Sequence, residues 1–153
     1  MRILVVSDSH GMQGRLGAIL MAAEADGRLD AVIHLGDGYD DLRDYQAHLP
    51  PVYQVAGNCD LFRNDTLEVV SLSNARILLT HGHLQHVREG EDDLLSLAIT
   101  ERAQAALYGH THVQKAEWRS GVLLLNPGAA QNGRYAILTV NRLGAVDFSL
   151  HGD

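Results

Sequence analysis

Ile3-Leu4-Val5-Val6 is a continuous apolar run bounded by polar residues, the pattern of a strand buried on both faces. Met12, Leu16, Ile19, Leu20 and Ala23 then recur at helical spacing, and Gly27 stands where that helix would stop. Residues 31–35 repeat the strand pattern, 39–48 predict a short helix stopped by Pro50-Pro51, and 52–55 predict a third strand. Residues 66–72 and 76–80 predict a hairpin around Ser73-Asn74. Residues 91–102 predict a second helix with Leu94, Leu95, Leu97 and Ala98 on its apolar face. Its first turn holds Glu91, Asp92 and Asp93, where the helix dipole favours anions. A strand at 105–108 follows. The remainder reads as strands only (Lys115–Arg119, Val122–Asn126, 134–140 and 145–150), with Gly121, Pro127-Gly128, Asn132-Gly133 and Gly144 in the turns.

A chain that begins βαβαβ and ends in strands predicts one layered α/β domain over residues 1–153. Its first half should be largely parallel and its second half mixed or antiparallel.

Five polar clusters share one address in this pattern, each directly after an apolar strand: Asp8/His10, Asp37, Asn58, His81 and His110/His112. Ligands bind at the carboxyl ends of strands in open α/β sheets, and parallel strands bring those ends to one edge. Two carboxylates, four histidines and one amide make a mixed nitrogen and oxygen donor set. Such a set suits Mn, Fe, Zn or Co better than Ca or Mg alone. It is too large for one tetrahedral zinc and suits two metals sharing a bridging carboxylate. Adjacent Gly36, Gly57, Gly82 and Gly109 let the backbone bend at a crowded centre. Two divalent ions, two carboxylates and a hydroxide leave a formal charge of about +1, which attracts a phosphodiester monoanion.

The bulk numbers narrow the partners. Lys+Arg number 12 against 19 Asp+Glu, a net charge of −7, and no basic patch for nucleic acid is visible. The four-residue apolar run at the N-terminus is too short for a signal peptide or a membrane span. Cys59 is the one cysteine, which fits a reducing cytoplasm. Soluble oligomers are mostly homo-oligomers, so a homodimer or homotetramer is the base-rate expectation.

The order Asp8-Ser9-His10, Gly36-Asp37, Gly57-Asn58-Cys59-Asp60, His81-Gly82-His83 and Gly109-His110-Thr111-His112 resembles the calcineurin-like metallophosphoesterase superfamily. The resemblance extends from residue 1 to about residue 130. The short, capless chain is similar to the small phosphodiesterase branch, which also resembles the retromer scaffold subunit. The resemblance implies an α/β/β/α fold, a β-sandwich of two mixed sheets flanked by helices. It implies a first metal on Asp8, His10 and His112, a second on Asn58, His81 and His110, and Asp37 bridging them. The metal would be Mn, with Ni, Co, Zn or Fe as alternatives, and the substrate a small phosphodiester attacked by a metal-bridging hydroxide. Cys59 stands where much of the superfamily has a histidine that assists the leaving group, and Asp60 where an acid orients that histidine. With Asp37, Asn58 and His83, these two complete the candidate catalytic set. Competing readings are a phosphomonoesterase, a nuclease of the same superfamily, or an interaction scaffold with a vestigial site; a relic would be expected to lose metal histidines.

Other polar residues have plainer readings. His34 reads as a satisfied core histidine; His48, His86 and His151 read as surface residues. Asp40 and Asp41 read as solvated helix-start residues, Arg134 as a phosphate contact or a surface ion pair, and Trp118 and Phe148 as packing residues.

Overall fold

The computed structural model describes residues 1–152, arranged as two five-stranded sheets. One sheet contains β1 (Arg2–Val6), β2 (Ala31–His34), β3 (Val52–Gln54), β9 (Tyr135–Val140) and β10 (Val146–His151). The other contains β4 (Leu67–Leu72), β5 (Ala75–Thr80), β6 (Ala105–Leu107), β7 (Lys115–Arg119) and β8 (Val122–Asn126). The strand orders are β10-β9-β1-β2-β3 and β4-β5-β6-β8-β7. Each sheet has a parallel centre and antiparallel additions: β1, β2 and β3 run together, as do β5, β6 and β8.

Alternation along the strands builds four layers. Ile3, Val5 and Ile33 point between the sheets and meet Ile77, Leu79, Leu107 and Leu123. Their neighbours Leu4, Val6 and Val32 point outward onto Leu16, Ile19, Leu20 and Ala23 of α1 (Gln13–Ala25). Leu78, Ala106 and Leu124 do the same on the second sheet, against Leu94 and Ala98 of α2 (Asp92–Thr100). A strand covered on both faces must be apolar throughout, which is why these strands read as continuous runs. The result is the expected α/β/β/α sandwich.

Several local expectations need correction. Only Arg43–His48 of the helix expected at 39–48 is helical, as a short 3-10 segment. The N–H groups of Gly38 and Tyr39 are tied to the Asp60 carboxylate, which starts this segment as turns. Asp41 is buried, because its carboxylate accepts from Ser9 and from the Gly11 N–H. Glu91 is also buried, bonded to Tyr108 and Lys115. Trp118 is half exposed on the edge strand β7. His151 is half-buried, stacked on its cross-strand partner Tyr135 with ring centroids 4.9 Å apart. Arg134 reaches the Gln114 amide at 3.3 Å.

Candidate metal centre

The loops after β1, β2, β3, β5 and β6 meet at one edge of the sandwich, where the parallel strands end. They bring Asp8, His10, Asp37, Cys59, His81 and His112 into overlapping groups whose donor atoms lie within 4.8 Å of one another. The groups are Asp8–His10–His112, His10–Asp37–Cys59 and Asp8–Asp37–His81. His110 joins through Nδ1, 3.3 Å from Nε2 of His81.

Each carboxylate is anchored through one oxygen. Ser7 Oγ donates to Oδ2 of Asp8 at 2.6 Å, and the His110 N–H donates to the same oxygen at 3.1 Å. Oδ1 of Asp8 is buried with no hydrogen-bond donor. It faces Nε2 of His112 at 3.1 Å, of His10 at 3.5 Å and of His81 at 3.8 Å. The Cys59 N–H donates to Oδ1 of Asp37 at 2.8 Å, leaving Oδ2 3.3 Å from His81 Nε2 and 3.8 Å from His10 Nε2. His81 donates Nδ1–H to the Leu35 carbonyl at 2.8 Å, which turns the Nε2 lone pair into the cluster. A buried oxygen without a donor, ringed by imidazole nitrogens, fits a cation. The chain therefore has residues able to hold a metal, and the donor set is one that suits a transition metal.

The charges around His81 follow from this crowding. Burial disfavours its charged form, but the Asp37 hydrogen bond and the Asp8 and Asp37 charges outweigh it, and its pKa rises. Burial likewise opposes charge on Asp37, but His81 and the Cys59 N–H hold its pKa well below the usual carboxylate range. Burial, then the His81 charge, lowers the pKa of His83 and of His110.

The backbone here is strained in a way the sequence did not signal. Asp8, His10, Asp37, His110 and His112 all have left-handed φ, between 47° and 71°. Such conformations in residues other than glycine cluster at functional sites. Two glycines permit the crowding: a Cβ at Gly57 would collide with the Asp37 carboxylate, and one at Gly109 with Ser7 and Asp8.

The remaining candidates have distinct surroundings. Asn58 is exposed, and its amide donates to Cys59 Sγ at 3.6 Å. Cys59 is free and exposed at a cavity of about 340 Å³ that His10, Asp37, Tyr39 and Asp60 also line. Asp60 points into the loops: its carboxylate accepts the N–H groups of Asp37, Gly38, Tyr39 and Gly57. These bonds pull its pKa down against the opposing effect of burial. His83 is half-buried, with ring centroids 5.5 Å from His81 and 6.1 Å from His110, and its Nδ1 has no partner.

Sequence reasoning missed two positioning residues. Asn126, read only as the last residue of a strand, is buried and donates to the Gly109 carbonyl and to Thr111 Oγ1. Gln131 lies 3.4 Å from Nδ1 of His112. An asparagine closing an otherwise apolar parallel strand was the available signal for the first.

Comparison with known proteins places this geometry. The calcineurin-like phosphoesterase superfamily domain matches residues 1–143, and the chain belongs to that family. It is 34% identical over 149 residues to the probable metallophosphoesterase YsnB of Bacillus subtilis, covering 92% of this chain and 85% of that one. The crystal structure of a predicted phosphoesterase from Streptococcus pneumoniae superposes with a TM-score of 0.74 at 26% identity, covering 98% of this chain and 97% of that one. A shorter match joins it to the phosphodiesterase YfcE of Escherichia coli, 34% identical over 87 residues, 51% of this chain and 44% of that one. No helix among the described residues is long and apolar enough to cross a membrane.

Proposed function

We propose that this phosphoesterase hydrolyses small phosphodiesters at a two-metal centre. Asp8, His10 and His112 would hold one ion, Asn58, His81 and His110 the other, and Asp37 would be shared between them. The observation that carries this reading is Oδ1 of Asp8, buried without a donor and facing three imidazole nitrogens while Oδ2 is fixed from behind. When bound, the metal pair supplies Lewis acidity that lowers the pKa of a water and offsets charge on the phosphate.

The chain's own residues supply position. Oδ2 of Asp37, between His81 and His10, is the oxygen available for sharing. His83, whose buried Nδ1 has no partner and whose pKa is lowered by burial, would contact a substrate oxygen. Cys59 stands at the open cavity as a weak thiol donor. Asp60 acts through the loops it ties together.

A site charge of about +1 favours a diester monoanion, and the name of the E. coli relative points the same way. Manganese is the proposed metal, with Ni, Co, Zn and Fe as alternatives, and the reducing cytoplasm is the compartment a free, exposed Cys59 fits. The complete donor set counts against a scaffold with a relic site. Soaking crystals in Mn and recording its anomalous scattering tests the proposal. Two peaks flanking Asp37 are expected; one peak, or none, would overturn it.

A further inference from the structure

A second cavity, of about 280 Å³, lies beside the metal centre, between the loop that ends at Glu91 and the segment that leads into β7. Arg88, Glu91, Tyr108, Thr111, Val113 and Lys115 are among its walls. Three observations set it apart from an ordinary surface hollow.

Arg88 forms its inner wall. Its Nε lies 3.1 Å from Nε2 of His110, and among the described residues no carboxylate pairs with it. An arginine fork without an acidic partner, beside metal ligands, suits an oxyanion. A second guanidinium nitrogen reaches the His110 carbonyl at 3.5 Å, so the fork lies against the loop that carries His110 and His112.

Glu91 is a buried residue of the lining. It is 8% exposed, and Oε1 takes both the Tyr108 hydroxyl at 2.9 Å and the Lys115 ammonium at 2.6 Å. Oε2 has no donor. A buried carboxylate oxygen left open is costly unless a ligand completes it. Val87 and Val113 supply apolar edges.

We infer that this cavity seats one ester arm of the substrate, an organic group of nucleoside size or smaller with a hydrogen-bond donor for Glu91, while Arg88 takes a phosphate oxygen. The volume sits near the lower end for small-molecule pockets, which limits the arm to one such group. This rests on the phosphodiesterase reading for the position of the phosphate, but not for the cavity itself.

The test uses Mn-loaded protein, thymidine 5′-monophosphate binding by calorimetry, and hydrolysis of two esters, thymidine 5′-(p-nitrophenyl phosphate) and bis(p-nitrophenyl) phosphate. Val113 lines the cavity from an exposed position, so Val113→Trp should fill it without disturbing the core, which urea unfolding checks. The substitution should weaken nucleotide binding and kcat/KM on the thymidine ester by about tenfold or more, and lower kcat/KM on the bis-aryl ester by less, because the smaller aryl arm carries no donor for Glu91. Arg88→Gln should lower kcat/KM on both esters by about tenfold or more, and Glu91→Gln only on the thymidine ester. Nucleotide binding that Val113→Trp abolishes, in a protein that cleaves neither ester, would support the cavity and overturn the phosphodiesterase reading. Bis-aryl hydrolysis with no nucleotide binding, or with binding that Val113→Trp leaves unchanged, would overturn the cavity proposal alone.

Discussion

Oδ2 of Asp60 accepts the backbone N–H of Asp37 at 2.7 Å, joining the loop after β3 to the loop after β2. The same carboxylate takes three further N–H groups, from Gly38, Tyr39 and Gly57. One charged side chain thus fixes the backbone that aims the proposed bridging carboxylate. Asparagine there would keep one acceptor and turn an amide donor onto N–H groups. Asp60→Asn should weaken Mn binding by about tenfold and lower stability by about 2 kcal/mol, the scale of a hydrogen bond to a charged group. Calorimetry and urea unfolding measure both, with exposed Asp44→Asn as the control that moves neither. Unchanged Mn binding would remove Asp60 from the site's support.

His34 links the same loops from beneath. The Gly36 N–H donates to Nδ1 at 3.1 Å, so Nε2 carries the proton and donates to Ser9 Oγ at 2.9 Å. Ser9 in turn donates to Asp41 at 2.6 Å. Burial pushes the His34 pKa down to about 4, against the pull of Asp41, Asp60 and Asp8. Between the ordinary histidine value near 6.5 and about 4, the unfolded chain therefore binds one proton more than the native one. Stability falls as pH falls through that window, by about 3 kcal/mol in all. His34→Gln should flatten this part of the stability curve; an unchanged slope would assign the loss to other groups.

His81 has the opposite sign in the metal-free protein. Its raised pKa stabilises the fold below the ordinary histidine value, and that contribution is lost as pH rises through the folded pKa. The Asp8 and Asp37 charges that favour a proton there also favour a metal ion, so the two compete. Mn binding should weaken as pH falls below the raised pKa and release protons there. Calorimetry in buffers of different ionisation enthalpy should give more protons released at pH about 6.5 than at a pH well above the raised pKa. Equal release at both would contradict proton–metal competition.

Cys59 offers a test of the leaving-group step. Partial burial and then the Asp37 charge push its thiol pKa up, so it is a neutral S–H near neutral pH. Cys59→His should speed cleavage of alkyl diesters by about tenfold or more, on the scale of general acid catalysis. Aryl diesters with good leaving groups should change by about threefold at most. A series of diesters graded by leaving-group pKa should show a shallower dependence in the variant; an identical dependence would exclude a leaving-group role at this position.

The layers and the addresses of the site residues were legible because parallel strands buried on both faces are written as unbroken apolar runs. Polar residues straight after Val6, Leu35 and Thr80 therefore marked one edge. Backbone strain was not legible: nothing in the residue types of Asp8, Asp37 or His112 encodes a left-handed φ, which the packed surroundings impose. Nor were the burials of Asp41 and Glu91, which read as helix-start acids because their partners Ser9, Tyr108 and Lys115 are 17 or more residues away. The turns after Gly38 displaced a helix that spacing alone predicted, since Asp60 claims the N–H groups where it would begin.

The central claim is metal-dependent diester hydrolysis. Protein stripped with a chelator is assayed on bis(p-nitrophenyl) phosphate and on p-nitrophenyl phosphate, before and after Mn is restored. No hydrolysis without metal, and recovery with Mn that favours the diester, is the predicted result. Full diester activity in the stripped protein, or none with Mn, Ni, Co, Zn or Fe restored, would contradict it.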